Sequence, residues 1–255
     1  MKLGLVTYDI AKDWDVATII AKLSAARFEA VELRTTHAHG VEPTLTAKER
    51  AAVRRQFEQS PIRLWGLGTT CEYHSPDPGE LQRQIEETKA FVDLARDVGA
   101  VGVKVRPNGL ATDASVPEQQ TLRQIGVALR EVGDYAAPRG VEVWLEVHGH
   151  GTAHVPHIRT IMEVADHPQV GVCWNCNHSD LLPDGTLSAN FERVARWVRS
   201  VHTHDLYDEQ YPWHELVRCL HAIGYDRYCL TEMPESSDPE RVLLYHAALW
   251  RELVG

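Results

Sequence analysis

The stretch Val141-Glu-Val-Trp-Leu-Glu-Val-His148 decides the fold. Its β-branched and aromatic residues mark a strand, and Glu146 and His148, two residues apart near its end, point to the same face. Seven similar short runs stand along the chain: Leu3 to Thr7, Ala30 to Thr35, Ile62 to Gly68, Val101 to Arg106, Val170 to Asn175, Val201 to Asp205 and Tyr228 to Glu232. Eight runs over 255 residues give about 32 residues per repeat, the size of one βα unit.

Helical patterns fill the gaps. In the third, Asp77 is placed to cap, Pro78 occupies the first turn, Glu80 is set to complete a capping box, and Gly99 stops the helix. Leu81, Ile85, Val92, Ala95 and Val98 then form one apolar stripe. The fourth helix repeats this with Leu122, Ile125, Leu129 and Val132. The last begins at Asp238-Pro239 and is expected to bury Val242, His246 or Tyr245, Leu249 and Leu253. Each stripe needs a sheet face to cover. No Pro/Ser-rich linker or low-complexity segment interrupts the alternation, so the expected fold is α/β, one (β/α)8 TIM barrel over residues 1–255, closed so that no sheet edge is exposed. An open doubly wound sheet is the alternative. It would usually carry a GxGxxG or P-loop after a strand, and neither occurs.

Composition narrows the function. The chain is 44% hydrophobic and carries 36 acidic against 26 basic residues, a formal charge of −10 that repels a phosphate backbone and argues against nucleic acid as a partner. No window approaches ~18 apolar residues, and Asp9, Lys12 and Asp13 interrupt the opening segment, so a cytoplasmic protein without membrane contact is expected. The five cysteines are scattered and odd in number, which argues against a disulfide framework. Cys173 and Cys176 form a single CxxC inside a strand end, a setting that fits packing better than zinc or redox chemistry.

In a barrel of this kind the active site is built at the C-terminal ends of the strands. Polar residues there are Glu32 and Arg34, Lys104 and Arg106, Glu146 and His148, Asn175 and His178, His202 and His204, and Glu232. Glu146, Asn175, His202 and Glu232 follow one another at intervals of 29, 27 and 30 residues, one βα unit each, so they should converge at one mouth. Two carboxylates, an imidazole and an amide oxygen make a mixed O/N set suited to one divalent ion, Mn²⁺, Mg²⁺, Co²⁺ or Zn²⁺. The alternative for any one of them is a rim salt bridge or a satisfied core histidine. Burying two neighbouring carboxylates without a cation, however, leaves them repelling and poorly solvated.

These residues also carry a resemblance. The segments AVELRTT (30–36), LEVHGHG (145–151), VGVCWNCNHSD (170–180), VHTHD (201–205) and LTEMPE (230–235) resemble the xylose isomerase-like barrels, the sugar phosphate isomerase/epimerase group of ketose 3-epimerases, hydroxypyruvate isomerases and inosose dehydratases. The resemblance extends over essentially the whole chain. It implies that Glu146, Asn175, His202 and Glu232 are the metal ligands, with His178 in the histidine position of a D-x-x-H motif and His202 to Asp205 on an H-x-x-D motif. Asn175 departs from the pattern, which usually has Asp there, and implies weaker metal binding or a shifted preference. His148 is a candidate compensating ligand or substrate contact, and His204 stands where the group often has Lys.

The activity implied is a metal-dependent sugar isomerase or epimerase that removes a proton beside a carbonyl through an enediolate, with Glu146 and Glu232 as the acid/base pair. His178, Arg106, His148, His204, Lys104 and Glu32 are the expected substrate contacts, Arg being suited to bidentate anion recognition. Tyr8, Trp14 and Trp65 could wall a sugar pocket, although Trp65 and Trp197 fit packing between helices and barrel better, and His37 and His39 are weaker candidates. The expected partner is a small sugar or sugar derivative, with a homo-oligomer left open. Expulsion of a β-hydroxyl, making a dehydratase of a keto-inositol or keto-sugar, is the nearest alternative. A non-catalytic sugar-binding or partner subunit is a further one, motivated by Asn175. An endonuclease IV-type nuclease is disfavoured, because Arg106-Pro107-Asn108-Gly109 replaces its His-Pro-Gly and its extra His and Asp ligands are not evident around Trp213-His214-Glu215.

Overall fold

All eight strand-forming runs form strands, and each is followed by a helix. The computed structural model describes residues 1–111 and 116–255. In chain order the elements are β1 (Lys2–Asp9), α1 (Val16–Ala25), β2 (Ala30–Arg34), α2 (Ala47–Glu58), β3 (Arg63–Glu72), α3 (Pro78–Val98), β4 (Gly102–Arg106) and α4 (Glu118–Ala136). The second half adds β5 (Glu142–Glu146), α5 (Val155–Ala165), β6 (Val170–Asn175), α6 (Ser188–Val194), β7 (Val198–Thr203), α7 (Trp213–Ala222), β8 (Tyr228–Met233) and α8 (Pro239–Val254). The strands pair in parallel in sequence order and β8 returns to β1, which closes the barrel. Among the described residues no helix is long and apolar enough to cross a membrane.

Strand ends differ from the sequence reading where the ladder decides them. β5 ends at Glu146, and β7 runs from Val198, paired to Val172, only to Thr203, so His148 and His204 lie in the loops above their strands. β3 continues to Glu72, paired to Arg106 across an irregular register.

Helix signals were read correctly in part. Asp77 accepts from Gly79 N at 2.8 Å, and α3 stops at Gly99 in the left-handed conformation (φ 81°). Glu80, however, does not reach back to complete a capping box; Arg83 and Gln84 hold its carboxylate instead. On α8 the buried face is Leu243, His246, Ala247 and Trp250, while Tyr245 and Leu249 are exposed. Two apolar stripes at helical spacing run along α8, and the one carrying the large Trp250 indole faces inward.

Two packing regions result. A large apolar shell fills the space between barrel and helices, and a small cluster of Val6, Ala30, Trp65, Trp144, Cys173 and Leu230 plugs the barrel interior. Trp65 therefore packs inside the barrel, correcting its expected place against the helices. Its ring stacks on Trp144 at 5.3 Å between centroids. The Trp144 indole also explains Gly102, where a Cβ would sit 2.5 Å from the ring. The CxxC thiols go to different regions, Cys173 to the plug and Cys176 to the shell, and the five cysteines are free.

Candidate active site

Alternation along the strands stacks inward-facing side chains in layers, and the layer above the tryptophan plug is charged. It contains Glu32 from β2, Lys104 from β4, Glu146 from β5, Asn175 from β6, His202 from β7 and Glu232 from β8. All but Glu232 are buried, and the Glu232 side chain is 17% exposed. β3 supplies Gly68 at this level, and a Cβ there would lie 2.6 Å from Glu32 Oε1, so the glycine makes room for the carboxylate.

His202 is the hub. Its Nε2 lies 3.2 Å from Glu32 Oε2, and its Nδ1 lies 3.2 Å from Glu146 Oε1 and 3.5 Å from Glu232 Oε1. Glu146, His202 and Glu232 each offer an atom within 4.8 Å of the others. Lys104 Nζ donates to the second Glu146 oxygen at 2.9 Å. Asn175 pairs with His202 in the ladder, and among the described residues its side-chain oxygen is buried without a hydrogen-bond partner, as is Glu32 Oε1. Behind it, Asn177 Nδ2 donates to Val147 O (3.0 Å) and Asn175 O (2.9 Å), tying the ends of β5 and β6 together, while Asp180 Oδ2 accepts from Asn177 N at 2.8 Å.

These contacts push the two candidate acid/base carboxylates apart. Burial alone would raise Glu146, but the Lys104 ammonium outweighs it, with His202 adding, and holds the carboxyl well below the usual range. Glu232 goes the other way: burial lifts it and the Glu146 charge adds, against the opposing pull of His202. Burial opposes charge on His202, but the acidic groups around it, Glu32 and Glu232 among them, win and raise it well above an ordinary histidine.

The donor set fits a divalent cation. Hard carboxylate oxygens and one imidazole nitrogen converge, and on the strand beside His202 the Asn175 oxygen is a buried acceptor without a donor among the described residues. Glu32 accepting from His202 Nε2 would leave Nδ1 as the ligating atom, the carboxylate–histidine arrangement common behind metal-binding imidazoles. Glu32 was expected to touch substrate; at 0% exposure beneath His202 it is placed to orient that ring instead.

The remaining expected contacts are spread over the mouth. Arg106 is half-buried and 3.5 Å from Glu72 Oε1. His148 is half-buried with Nδ1 unpartnered, near Arg106, Lys104 and Glu146. His204 is half-buried beside Glu232. His178 sits in a short turn after β6, its side chain 57% exposed and paired to Asp208 Oδ2 at 2.9 Å, and the structure does not bring it to the carboxylate cluster. Arg34, at the end of β2, carries no assigned role in the sequence reading; its place two residues above Glu32 was the available signal. A surface cleft of about 700 Å³ lies elsewhere, between the loop after β7, α7 and the end of α8. Leu206, Trp213, Leu249 and Leu253 line it beside Asp208, His214, Glu215 and Glu252, whereas the buried cluster of Glu146, His202 and Glu232 lies at the barrel mouth.

Comparison with known proteins agrees with this architecture. Residues 20–253 match the family model of the xylose isomerase-like TIM barrel, and the chain belongs to that family. No curated protein matches it in sequence. Among solved structures it is similar to D-psicose 3-epimerase from Clostridium cellulolyticum H10 with D-tagatose, at 14% identity and TM-score 0.84 over 100% of this chain and 99% of that one. It is also similar to the IOLI protein with a zinc atom (15% identity, TM-score 0.78, covering 99% and 96%). A third similar structure is the probable 3-DHS dehydratase AsbF from Bacillus anthracis (14%, TM-score 0.72, covering 98% and 99%). At these identities the likeness is one of fold.

Proposed function

We propose that this protein is a divalent-metal-dependent isomerase or epimerase of a ketose or related keto-sugar, working by proton abstraction next to a carbonyl. The observation that carries this reading is the convergence of Glu146, His202 and Glu232, with Asn175 paired to His202 in the ladder between β6 and β7 and its side-chain oxygen buried and unpartnered among the described residues. Zinc in the IOLI protein and a sugar in the D-psicose 3-epimerase structure support it by analogy of fold.

Those four residues would hold the cation, with Glu32 orienting His202. When bound there, a divalent ion would supply Lewis acidity to the substrate's oxygens and lower the cost of negative charge as the neighbouring C–H loses its proton. Glu232, the more open and more basic of the two carboxylates, takes the proton at its carboxylate oxygen. Glu146, tethered by Lys104 on one oxygen, faces the substrate from the adjacent side of His202 and exchanges a proton with the other face or the adjacent carbon. Return to the opposite face inverts a stereocentre; return to the neighbouring carbon interconverts aldose and ketose.

A dehydratase acting on a keto-inositol or keto-sugar is the second reading, favoured by the fold likeness to AsbF, because the same proton abstraction can expel a β-hydroxyl. One experiment separates these readings: ketoses, keto-inositols and their phosphates are incubated with the Mn²⁺-loaded protein in deuterated water and followed by NMR. Deuterium at the carbon beside the carbonyl with retained mass apart from the label indicates epimerase or isomerase; loss of water indicates the lyase. Full exchange in both Glu146→Gln and Glu232→Gln with metal bound would overturn the acid/base assignment and point to His204, which lies beside Glu232.

A further inference from the structure

We propose that Arg34 and Arg106 form an anion subsite above the carboxylate cluster, so that the substrate carries a phosphate or carboxylate group at the end remote from its reacting carbons. The inference rests on the functional reading above for the location of the reacting end.

Charge is segregated by layer along the barrel axis. The lower layer holds Glu32, Glu146 and Glu232, with Lys104 committed to Glu146 at 2.9 Å. Two residues further along their strands, alternation brings Tyr8, Arg34 and Arg106 to the same inward face. Arg34 lies over the Tyr8 ring, 5.3 Å from guanidinium carbon to centroid, which confirms that the two share this layer. A substrate spanning both layers meets hydroxyl- and carbonyl-binding groups below and guanidinium groups above.

Among the described residues neither arginine has a close carboxylate partner. Among the described residues Arg34 has no carboxylate within ion-pairing distance; its contact is His37 Nε2 at 3.4 Å. Burial first and Arg34 second bring His37 down to about 4, against the pull of Asp9 and Asp13, so His37 is a neutral neighbour and not a competing charge. Arg106 reaches Glu72 Oε1 only at 3.5 Å, and Glu72 spends its other oxygen on Asn108 (2.5 Å) and His74 (3.4 Å). Arg106 Nε is buried and unpartnered among the described residues. Of these two half-buried guanidinium groups Arg106 thus has one distant carboxylate and Arg34 none among the described residues, an arrangement that an oxyanion would relieve through charge-assisted, bidentate hydrogen bonds.

The backbone leaves room for such a group. β2 and β4 flank β3, a separation of roughly 10 Å that two arginine side chains can bridge. Gly68 of β3, in register with Arg34, puts no side chain beside it, and at the level of Arg106 β3 presents Glu72.

The test is calorimetric, with D-fructose, D-fructose 6-phosphate and D-fructuronate as probes, on the wild-type protein and on Arg34→Met and Arg106→Met. An anionic ketose should bind at least about tenfold tighter than D-fructose, as a charged hydrogen-bond pair warrants. Each substitution should remove most of that preference while leaving Mn²⁺ affinity within about twofold, since neither arginine touches the cluster. The tighter of the two anionic probes distinguishes a phosphate from a carboxylate substrate. Equal affinity for the three sugars, no detectable binding of any, or a preference that survives both substitutions overturns the proposal. Failure to take up Mn²⁺ would instead strike the metal-dependent reading and leave the sugar comparison to stand or fall by itself.

Discussion

The two mouths of this barrel are both charged, and they are charged differently. At the N-terminal mouth Glu142 accepts from Trp144 Nε1 at 2.7 Å and from both terminal nitrogens of Arg227 at 2.8 and 2.9 Å, with Arg199 at 3.6 Å. Burial would raise that carboxyl, but the arginines and the indole outweigh it and hold it low. At the C-terminal mouth Glu32, Glu146 and Glu232 crowd one histidine, Lys104 answers them, and among the described residues Glu32 Oε1 and Asn175 Oδ1 are buried without partners. A closed network with every bond made stabilises a fold; an open one with acceptors in excess is a place for an ion and a substrate.

The largest contrast is expected in turnover. Glu232→Gln, nearly isosteric, should lower the rate of solvent exchange into substrate by about 10³-fold at saturating Mn²⁺, the scale of a lost general base, with a melting temperature little changed. The matching change at the other mouth, Glu142→Gln, should leave the rate within about twofold while destabilising the protein by about 3 kcal/mol, as expected when one partner of a largely buried ion pair is removed. Chemical denaturation beside the exchange assay reads both. If the two substitutions behaved alike, the distinction between the mouths would be lost.

An unpartnered buried atom alone does not make a site, and His246 on α8 sharpens that point. Its Nε2 is unpartnered, yet its neighbour is the Phe28 ring at 6.3 Å, with no cluster of ligands. Burial depresses its pKa to about 4, below the ordinary 6.5, so the unfolded chain takes up the proton first and stability falls as pH drops from about 6.5 toward 4. Between pH 7 and 5 this one group costs about 2 kcal/mol, and His246→Leu should flatten the acid limb of the stability curve by that amount without altering turnover at neutral pH.

The smallest effect is expected at Asn175. Asn175→Asp supplies the charge usual at this position and should tighten Mn²⁺ binding about tenfold, measured by titration. The metal-free variant should be less stable than wild type, because a fourth carboxylate joins Glu32, Glu146 and Glu232.

The barrel was legible in the sequence because eight β-rich runs recur at one βα spacing, and the clustering of Glu146, His202 and Glu232 because those runs end in polar residues of matching parity. Contacts between distant strands were not legible. Nothing local to Glu32 shows that its carboxylate meets His202, 170 residues away. Nothing local to Trp65 shows that the indole turns into the barrel, since that depends on the glycines of neighbouring strands. The α8 face was misread because two apolar stripes compete at the same helical spacing, and packing chose between them. His178 carried a motif match, but the turn after β6 points it to Asp208 and solvent.

The most direct test of the account is a Mn²⁺ titration of the metal-stripped protein, followed by calorimetry, on wild type, Glu232→Gln and Glu142→Gln. The account predicts one ion per chain, bound at least about tenfold more weakly by Glu232→Gln because a carboxylate ligand is lost, and bound unchanged by Glu142→Gln at the opposite mouth. No ion taken up by the wild type, or equal affinity in all three proteins, would contradict it.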